Sequence, residues 1–241
     1  MNAPPPCVWH ASADEATWAH DAAAALRDAL AQSLARAPRA LILLSGGTTP
    51  APVHRALARL ELDWKRVVVS LVDERDVEPD ADGSNARLAV QTMLVGAAAA
   101  AEFMPLRPPH AALDAAVVAA NARWRAAAET LELAAVVLGM GEDAHTASLF
   151  PGAPGLAAAL ASRDPYAAID ASGCAGAGRW PRRITLTPAG WAGARTRVLL
   201  LRGDAKRSVF ERAMNDDAMR APVRAALEVP GNPLHVHWCA A

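Results

Sequence analysis

The sequence predicts one α/β domain built on a mostly parallel, Rossmann-like sheet with helices on both faces. Short apolar runs alternate with alanine-rich, helix-like segments along the chain, and repeated strand–helix units of this kind build parallel sheets. Of the 241 residues, 53% are hydrophobic and 20% are charged, which is enough apolar material for a large core. No internal repeat or linker interrupts the pattern, so residues 1–241 are expected to fold as a single unit.

Continuous apolar runs are typical of strands that are buried on both faces. The predicted strands are 40–44, 66–72, 134–138, 184–186, 197–201 and 234–238. Three predicted helices are 14–37, 113–130 and 204–214. A fourth starts with Thr49 as its N-cap and Pro50 in its first turn, and a fifth starts with Ser84 as its N-cap and ends before Gly96. Between these elements, residues 73–83 are expected to form an acidic loop, and 153–178 an irregular loop or small subdomain.

Bulk properties exclude several classes of function. A net charge of −1 provides no field for nucleic acid or an anionic membrane, so an anionic substrate needs local cations. Three cysteines without a CxxC pair predict neither a disulfide framework nor a zinc site. The segment 1–6 lacks the features of a signal peptide, and no apolar run is long enough to cross a bilayer. We therefore expect a cytoplasmic protein, either a monomer or a small homo-oligomer.

A glycine-containing loop follows the first predicted buried strand and has the properties of a phosphate cradle. Gly46 and Gly47 allow the backbone to approach a ligand, the hydroxyls of Thr48 and Thr49 can donate hydrogen bonds, and the next helix presents its amino-terminal N–H groups. The loop is neither a Walker A sequence nor GxGxxG. An ordinary tight strand-to-helix turn is the alternative interpretation.

Two further loops place ionisable side chains after predicted strands. Asp73 and Arg75 follow one strand, although a solvated surface loop would also explain their charges. His145 stands two residues after Asp143 in a glycine-flanked turn, where an imidazole can exchange protons near neutral pH. A structural histidine is the alternative. Lys206 begins the helix after a fourth strand, and parallel strands bring all these loops to one edge.

Other catalytic patterns are weaker. No GxSxG elbow is present, so a serine hydrolase of that type lacks its nucleophile. His235 and His237 would share one face of the last predicted strand and could bind a metal, but the sequence indicates no third ligand.

These motifs, taken together, resemble the 6-phosphogluconolactonase family. The segments that carry the resemblance are 44–50, 72–75 with 84–85, 139–152, 183–187 and 203–206. Their order and approximate spacing agree over about residues 40–215. One departure is Ala144, where the family usually has glycine, and an alanine at positive φ would be strained there.

The resemblance implies the fold that this family shares with glucosamine-6-phosphate deaminases and ribose-5-phosphate isomerases. It also implies hydrolysis of 6-phospho-D-glucono-1,5-lactone in the oxidative pentose phosphate pathway, with no metal or organic cofactor. Combined with the loop chemistry, it predicts His145 as general base, Arg75 as the oxyanion or sugar ligand, and Asp143 or Asp73 as the orienting carboxylate. The predicted substrate and phosphate ligands are Ser45, Gly46, Gly47, Thr48, Arg183 and Lys206.

Two alternatives remain at this stage. A related amino-sugar phosphate deaminase would need a glutamate where this chain has Phe150, and a non-catalytic sugar-phosphate sensor would not need His145.

Arg183 lies at the start of its predicted strand, so it reaches the common edge only if that strand is antiparallel or the chain bends. Otherwise Arg179 or Arg182 would take its place.

Overall fold

The computed structural model describes residues 7–229 and 233–240. The segment 1–6, for which the sequence predicts no signal peptide, lies outside the described residues. The strands are β1 (Cys7–Ser12), β2 (Arg39–Leu44), β3 (Val67–Leu71), β4 (Asp73–Arg75), β5 (Glu102–Phe103), β6 (Leu131–Gly139), β7 (Tyr166–Asp170), β8 (Arg182–Leu186), β9 (Thr196–Arg202) and β10 (Leu234–Cys239). The α-helices are α1 (Glu15–Leu34), α2 (Ala51–Leu57), α3 (Asn85–Thr92), α4 (Leu113–Ala128), α5 (Leu156–Leu160), α6 (Pro188–Trp191) and α7 (Asp204–Ala213).

Seven strands form the main sheet in the order β1-β10-β9-β6-β2-β3-β5, and every neighbouring pair is parallel. From β2 the chain continues outward through β3 to β5, whereas from β6 it continues in the opposite direction through β9 to β10. Crossovers between parallel strands are right-handed as a rule, so winding in both directions places helices on both faces and confirms the predicted fold class. The order in which the chain adds strands to the sheet therefore reverses between the adjacent strands β2 and β6. Ligands bind at such topological switch points.

The core lies between this sheet and its helices. Ile42, Val69 and Val136 on the central strands are fully buried, and Trp18 and Leu26 on α1 are also fully buried. Burial of side chains of this size stabilises the fold by about 1.5–3 kcal/mol each. The result is a rigid platform whose strand ends hold the loops at fixed separations.

A second, antiparallel sheet of three strands, β4-β8-β7, corrects two of the sequence predictions. Residues 73–75 form a strand instead of the start of a loop, and β8 pairs with that strand and not with the main sheet. Arg75 lies opposite Arg183 in this pairing. The Tyr166 hydroxyl donates to the Leu71 carbonyl at 2.9 Å and so links the two sheets. Short strands of only three polar residues carry no apolar run, which is why the sequence did not reveal β4.

The ends of the helices agree with the sequence in one case and not in another. Ser84 caps α3 as predicted, because its hydroxyl accepts from the Arg87 N–H at 3.2 Å. Thr49 does not cap α2; Pro50 occupies that position without a side-chain cap bond. The segment 153–178 contains α5 and β7, so it is partly regular.

Strand β1, which the sequence did not predict, pairs with β10 and adds His10 to the two histidines on that strand. The Nε2 atom of His10 lies 3.0 Å from Nδ1 of His235, and its ring stacks on His237 with centroids 4.4 Å apart. A third imidazole therefore lies beside His235 and His237. Over residues 7–229 and 233–240, however, no group of three His, Cys, Asp or Glu side chains has an arrangement suited to a metal. In the same ranges no helix has the length and apolar character of a membrane span.

Candidate active site

The loops that follow β2 and β6 meet the second sheet and the start of α7 around a cavity of about 280 Å³. This cavity lies at the topological switch point. Its lining residues are Ser45, Gly46, Gly47, Thr48, Thr49, Pro50, Asp73, Arg75, Asn85, Gly139, Met140, Gly141, His145, Ala147, Gly176, Arg183 and Lys206. Nine of the ten residues predicted for the site thus line one cavity, and the tenth, Asp143, is bonded to His145.

A larger cavity of about 610 Å³ lies near the amino ends of β2, β6 and β9. Trp124, several alanines and an ion pair between Arg195 and Glu132 border it. It contains no histidine and no glycine loop at a helix start. We therefore place the candidate site in the smaller cavity, where proton-transfer and anion-binding groups converge.

His145 and Asp143 form a hydrogen-bonded pair beside the cavity. Nδ1 of His145 lies 2.5 Å from Oδ1 of Asp143, and the His145 backbone N–H donates to the same oxygen at 3.2 Å. Burial alone would raise the pKa of the Asp143 carboxyl, but the hydrogen bond and charge of His145 outweigh this effect and lower the pKa. An ionised carboxylate only accepts, so Nδ1 carries the proton and Nε2 is left as the basic nitrogen.

Two glycines make room for this pair. A Cβ atom at Gly141 would come 2.3 Å from Nδ1 of His145, and one at Gly176 would come 2.4 Å from Oδ2 of Asp143. Gly176 belongs to the segment 153–178, so this segment packs directly on the catalytic candidate pair. No sequence motif indicates a role for Gly176, because only the tertiary fold brings it to this pair.

The loop that carries the pair is tightly folded. Gly141 N–H donates to the His145 carbonyl at 3.1 Å, and the Thr146 hydroxyl donates to the Gly139 carbonyl at 2.9 Å. Ala144 has φ of 63°. An alanine at this positive φ is strained, as the departure from the family's usual glycine predicts, at a cost of roughly 1–2 kcal/mol.

Asp73 is buried in a network of its own. The Ser148 hydroxyl donates to its Oδ2 atom at 2.6 Å, and Nδ2 of Asn85 donates to its Oδ1 atom at 3.0 Å. Nη1 of Arg183 lies 3.6 Å from Oδ2. Three elements thus fix the Asp73 carboxylate, and it has no direct bond to His145 among these contacts. Of the two candidate carboxylates, Asp143 is the one with a hydrogen bond to His145.

Arg183 reaches the cavity because β8 runs antiparallel to β4, which is one of the two arrangements expected to bring it there. Its Nε and Nη2 atoms donate at 2.6 Å to the carbonyls of Trp180 and Ala177. Burial lowers the pKa of its guanidinium, and Asp73 opposes that shift. Arg179 and Arg182 do not line the cavity, so of the three arginines only Arg183 contributes charge there.

Phe150 separates Arg183 from the catalytic candidate pair. Its fully buried ring lies 4.3 Å from the His145 ring, measured between centroids. The guanidinium carbon of Arg183 lies 5.2 Å from the centre of the Phe150 ring. An apolar side chain therefore occupies the position at which the alternative deaminase would need a carboxylate.

The glycine loop after β2 has the geometry of a cradle. Gly47 adopts φ of 90°, which favours glycine, and a Cβ at Gly46 would come 1.8 Å from Oδ1 of Asn85. Within the described chain, the buried Oγ of Ser45 and the buried Oδ1 of Asn85 have no hydrogen-bond partner. Lys206 lines the same cavity, and burial lowers the pKa of its amino group. Unpaired polar atoms and cations at one place suit an anionic, hydroxyl-bearing ligand.

Glu74 supports this arrangement from behind. Asn85 and Ala86 are the first residues of α3, and their backbone N–H groups donate to the Glu74 carboxylate at 2.8 and 2.7 Å. Burial raises the pKa of this carboxyl, and the N–H donors partly offset the effect. Glu74 therefore fastens α3, and with it Asn85, to the strand that carries Asp73 and Arg75. No sequence pattern predicts these roles of Glu74 and Asn85, because both depend on tertiary contacts.

Fold and cavity together define a doubly wound α/β protein with a histidine–carboxylate pair and an anion cradle at the switch point. The sequence model of the family "Glucosamine-6-phosphate isomerases/6-phosphogluconolactonase" matches residues 13–238, and the chain belongs to this family. The predicted family resemblance is thereby confirmed.

Individual relatives agree with this assignment. The chain is 46% identical over 228 residues to a 6-phosphogluconolactonase of Xylella fastidiosa strain Temecula1, an alignment that covers 94% of each chain. It is 41% identical over 210 residues to a 6-phosphogluconolactonase of Rhizobium meliloti, covering 87% of this chain and 88% of the relative. A crystal structure of a 6-phosphogluconolactonase from Shewanella baltica superposes with a TM-score of 0.89 at 30% identity and covers 98% of both chains.

Proposed function

We propose that the protein hydrolyses 6-phospho-D-glucono-1,5-lactone to 6-phospho-D-gluconate, the lactonase step of the oxidative pentose phosphate pathway. The observation that carries the proposal is the 2.5 Å contact between Nδ1 of His145 and Asp143 at the edge of a cavity with an anion cradle. It is supported by relatives named 6-phosphogluconolactonase that align along almost the entire chain.

In this proposal, the phosphate occupies the cradle end of the cavity. The backbone of Gly46 and Gly47 and the hydroxyl groups of Ser45 and Thr48 bind its oxygens, and Lys206 supplies the compensating charge. Arg183 adds positive charge nearby, although several of its N–H groups already bind protein oxygens.

His145 then acts as general base. Its Nε2 atom takes a proton from a water molecule, and the water oxygen bonds to C1 of the lactone. The C1–O bond of the ring breaks, and the proton on His145 passes to the departing ring oxygen, which becomes a hydroxyl group. Asp143 stabilises the imidazolium that exists between these steps, and Arg75 stabilises the oxyanion or orients the sugar.

The deaminase alternative requires a second carboxylate near the histidine. Phe150 fills that position with a fully buried apolar ring, so the site favours the lactonase. The sensor alternative would not explain why the fold excludes side chains at both Gly141 and Gly176 to accommodate the His145–Asp143 pair.

The experiment is a direct assay on the purified chain. Freshly made lactone is added at a pH where spontaneous opening is slow, and acid release is followed in time. Catalysed opening of the lactone without ammonia release from glucosamine 6-phosphate is the expected result. Ammonia release would favour the deaminase, and binding of 6-phosphogluconate without lactone turnover would favour the sensor.

A further inference from the structure

Trp180 does not line the cavity, but its ring packs against Gly83 in the acidic loop that follows Arg75. A Cβ atom at Gly83 would come 2.6 Å from the Cη2 atom of the Trp180 ring. Gly83 also has φ of 84°, so both its backbone and the space above it require glycine. The indole therefore covers the carboxyl end of the acidic loop at close range.

Arg75 joins this contact from the cavity side. Its Nη1 atom donates to the carbonyl of Gly83, and its guanidinium carbon lies 5.9 Å from the centre of the Trp180 ring. That separation lies within the range of a cation–π interaction. Its Nε atom is buried and has no partner within the described chain. The Gly83 carbonyl and the Trp180 ring are thus the contacts that hold the guanidinium at the cavity wall.

Trp180 is itself fixed by the small sheet. Its carbonyl accepts from Nε of Arg183 at 2.6 Å, and Arg183 lies opposite Arg75 in the pairing of β4 with β8. The guanidinium of Arg179 lies 5.2 Å from the Trp180 ring. The ring therefore connects the segment before β8 with the loop after β4, and Arg75 lies between them.

We propose that Trp180 is a positioning residue for Arg75, which it holds in the orientation that faces the substrate. This inference rests on the proposed lactone hydrolysis, in which Arg75 contacts the oxyanion or the sugar. Arg75 has a long, flexible side chain and can turn toward solvent once the ring is removed. A displacement of this kind lowers the rate even though no group that contacts the substrate is lost.

Kinetics of five variants test the proposal. Trp180→Ala should lower kcat/KM for the lactone by roughly tenfold to a hundredfold. Trp180→Phe keeps an aromatic face and should stay within about threefold of the parent. In an Arg75→Ala background, Trp180→Ala should cause no further loss, because the group that it positions is gone. Trp124→Ala, which removes an indole that borders the larger cavity and not the candidate site, is the control. Full activity of Trp180→Ala, or an equal loss in both backgrounds, would overturn the proposal.

A second measurement does not depend on turnover. Phenylglyoxal modifies accessible guanidinium groups, and peptide mass spectrometry gives the modification rate at Arg75. In folded Trp180→Ala, checked by circular dichroism, this rate should rise about fivefold, with no change in Trp124→Ala. An unchanged rate at Arg75 would contradict the positioning role. If the parent protein fails to hydrolyse the lactone, the proposed function fails, and the labelling still decides whether Trp180 holds Arg75.

Discussion

The carboxylate of Asp143 lies 2.5 Å from Nδ1 of His145, and the backbone N–H of His145 binds the same oxygen. Two contacts between residues only two positions apart fix both the tautomer and the direction of the imidazole. Neighbours at Gly141 and Gly176 allow this arrangement only because they lack side chains.

Gly176→Ala should lower kcat while the fold is retained. The added Cβ would come 2.4 Å from Oδ2 of Asp143 and 2.9 Å from Nδ1 of His145, so the pair has to move. A shift of about 1 Å in a catalytic group costs up to roughly a hundredfold in rate. Gly193→Ala is the matched control, because a Cβ there meets nothing within 4 Å. Equal lactonase rates of both variants would show that the clash is relieved without moving the pair.

Lys206→Met should raise KM for the lactone by roughly tenfold to a hundredfold and change kcat little, since a phosphate contact contributes equally to ground state and transition state. The chain contains one other lysine, Lys65, which is exposed, so Lys65→Met is the control. Steady-state kinetics over a wide range of lactone concentrations provide the measurement. An unchanged KM in Lys206→Met would move the phosphate away from this amino group.

Glu74→Gln should reduce the free energy of unfolding by about 1–3 kcal/mol, because one acceptor oxygen of a buried group that binds several donors is lost. The carboxylate accepts from the N–H groups of Arg75, Asn85 and Ala86. Urea denaturation measures the change, and Glu61→Gln on the surface serves as control. Equal stability of the two variants would mean that the helix α3 does not depend on this anchor.

The histidine cluster on β1 and β10 predicts a pH dependence of stability. Burial lowers the pKa of His237 to about 4, and the neighbouring His10 and His235 add to the shift while Asp21 opposes it. The unfolded chain therefore binds the proton more readily, so this stabilisation is complete above pH of about 6.5 and is lost as the pH falls toward 4.

In His237→Phe, unfolding should take up about one proton fewer. The slope of the free energy of unfolding against pH should therefore fall by roughly 1.4 kcal/mol per pH unit in this window. Urea denaturation at several pH values between 7.5 and 4.5 measures the slope. The exposed His20, replaced by Gln, controls for the loss of an imidazole. A slope identical to that of the parent would show that another group dominates the acid sensitivity.

The sequence predicted the parts of the structure that carry strong local signals. Apolar runs identified β2, β3, β6 and β9, and Ser84 identified the start of α3. The loop residues of the site could be located because parallel strands place their carboxyl ends at one edge. The contacts that complete the site are long-range. Only tertiary packing brings Gly176 to His145, Asn85 to Asp73, and Trp180 to Arg75. Strand β4 is too short and polar to be recognised from the sequence.

The role of Arg183 shows the same limit. Its reach into the cavity depends on the direction of β8, and direction is a property of strand pairing that no local pattern encodes. The sequence shows that Arg183 reaches the cavity only from an antiparallel strand or through a bend in the chain, and the pairing of β8 with β4 shows that the strand is antiparallel.

The rate of lactone hydrolysis by His145→Ala, measured beside the parent and Asp143→Asn, tests the central claim most directly. Loss of the general base should lower kcat by roughly 10²–10⁴-fold while 6-phosphogluconate still binds. Asp143→Asn should lose activity as well, because it removes the carboxylate that keeps the proton on Nδ1. Nearly full turnover by His145→Ala, with spontaneous opening subtracted, would contradict the assignment of this imidazole as the base.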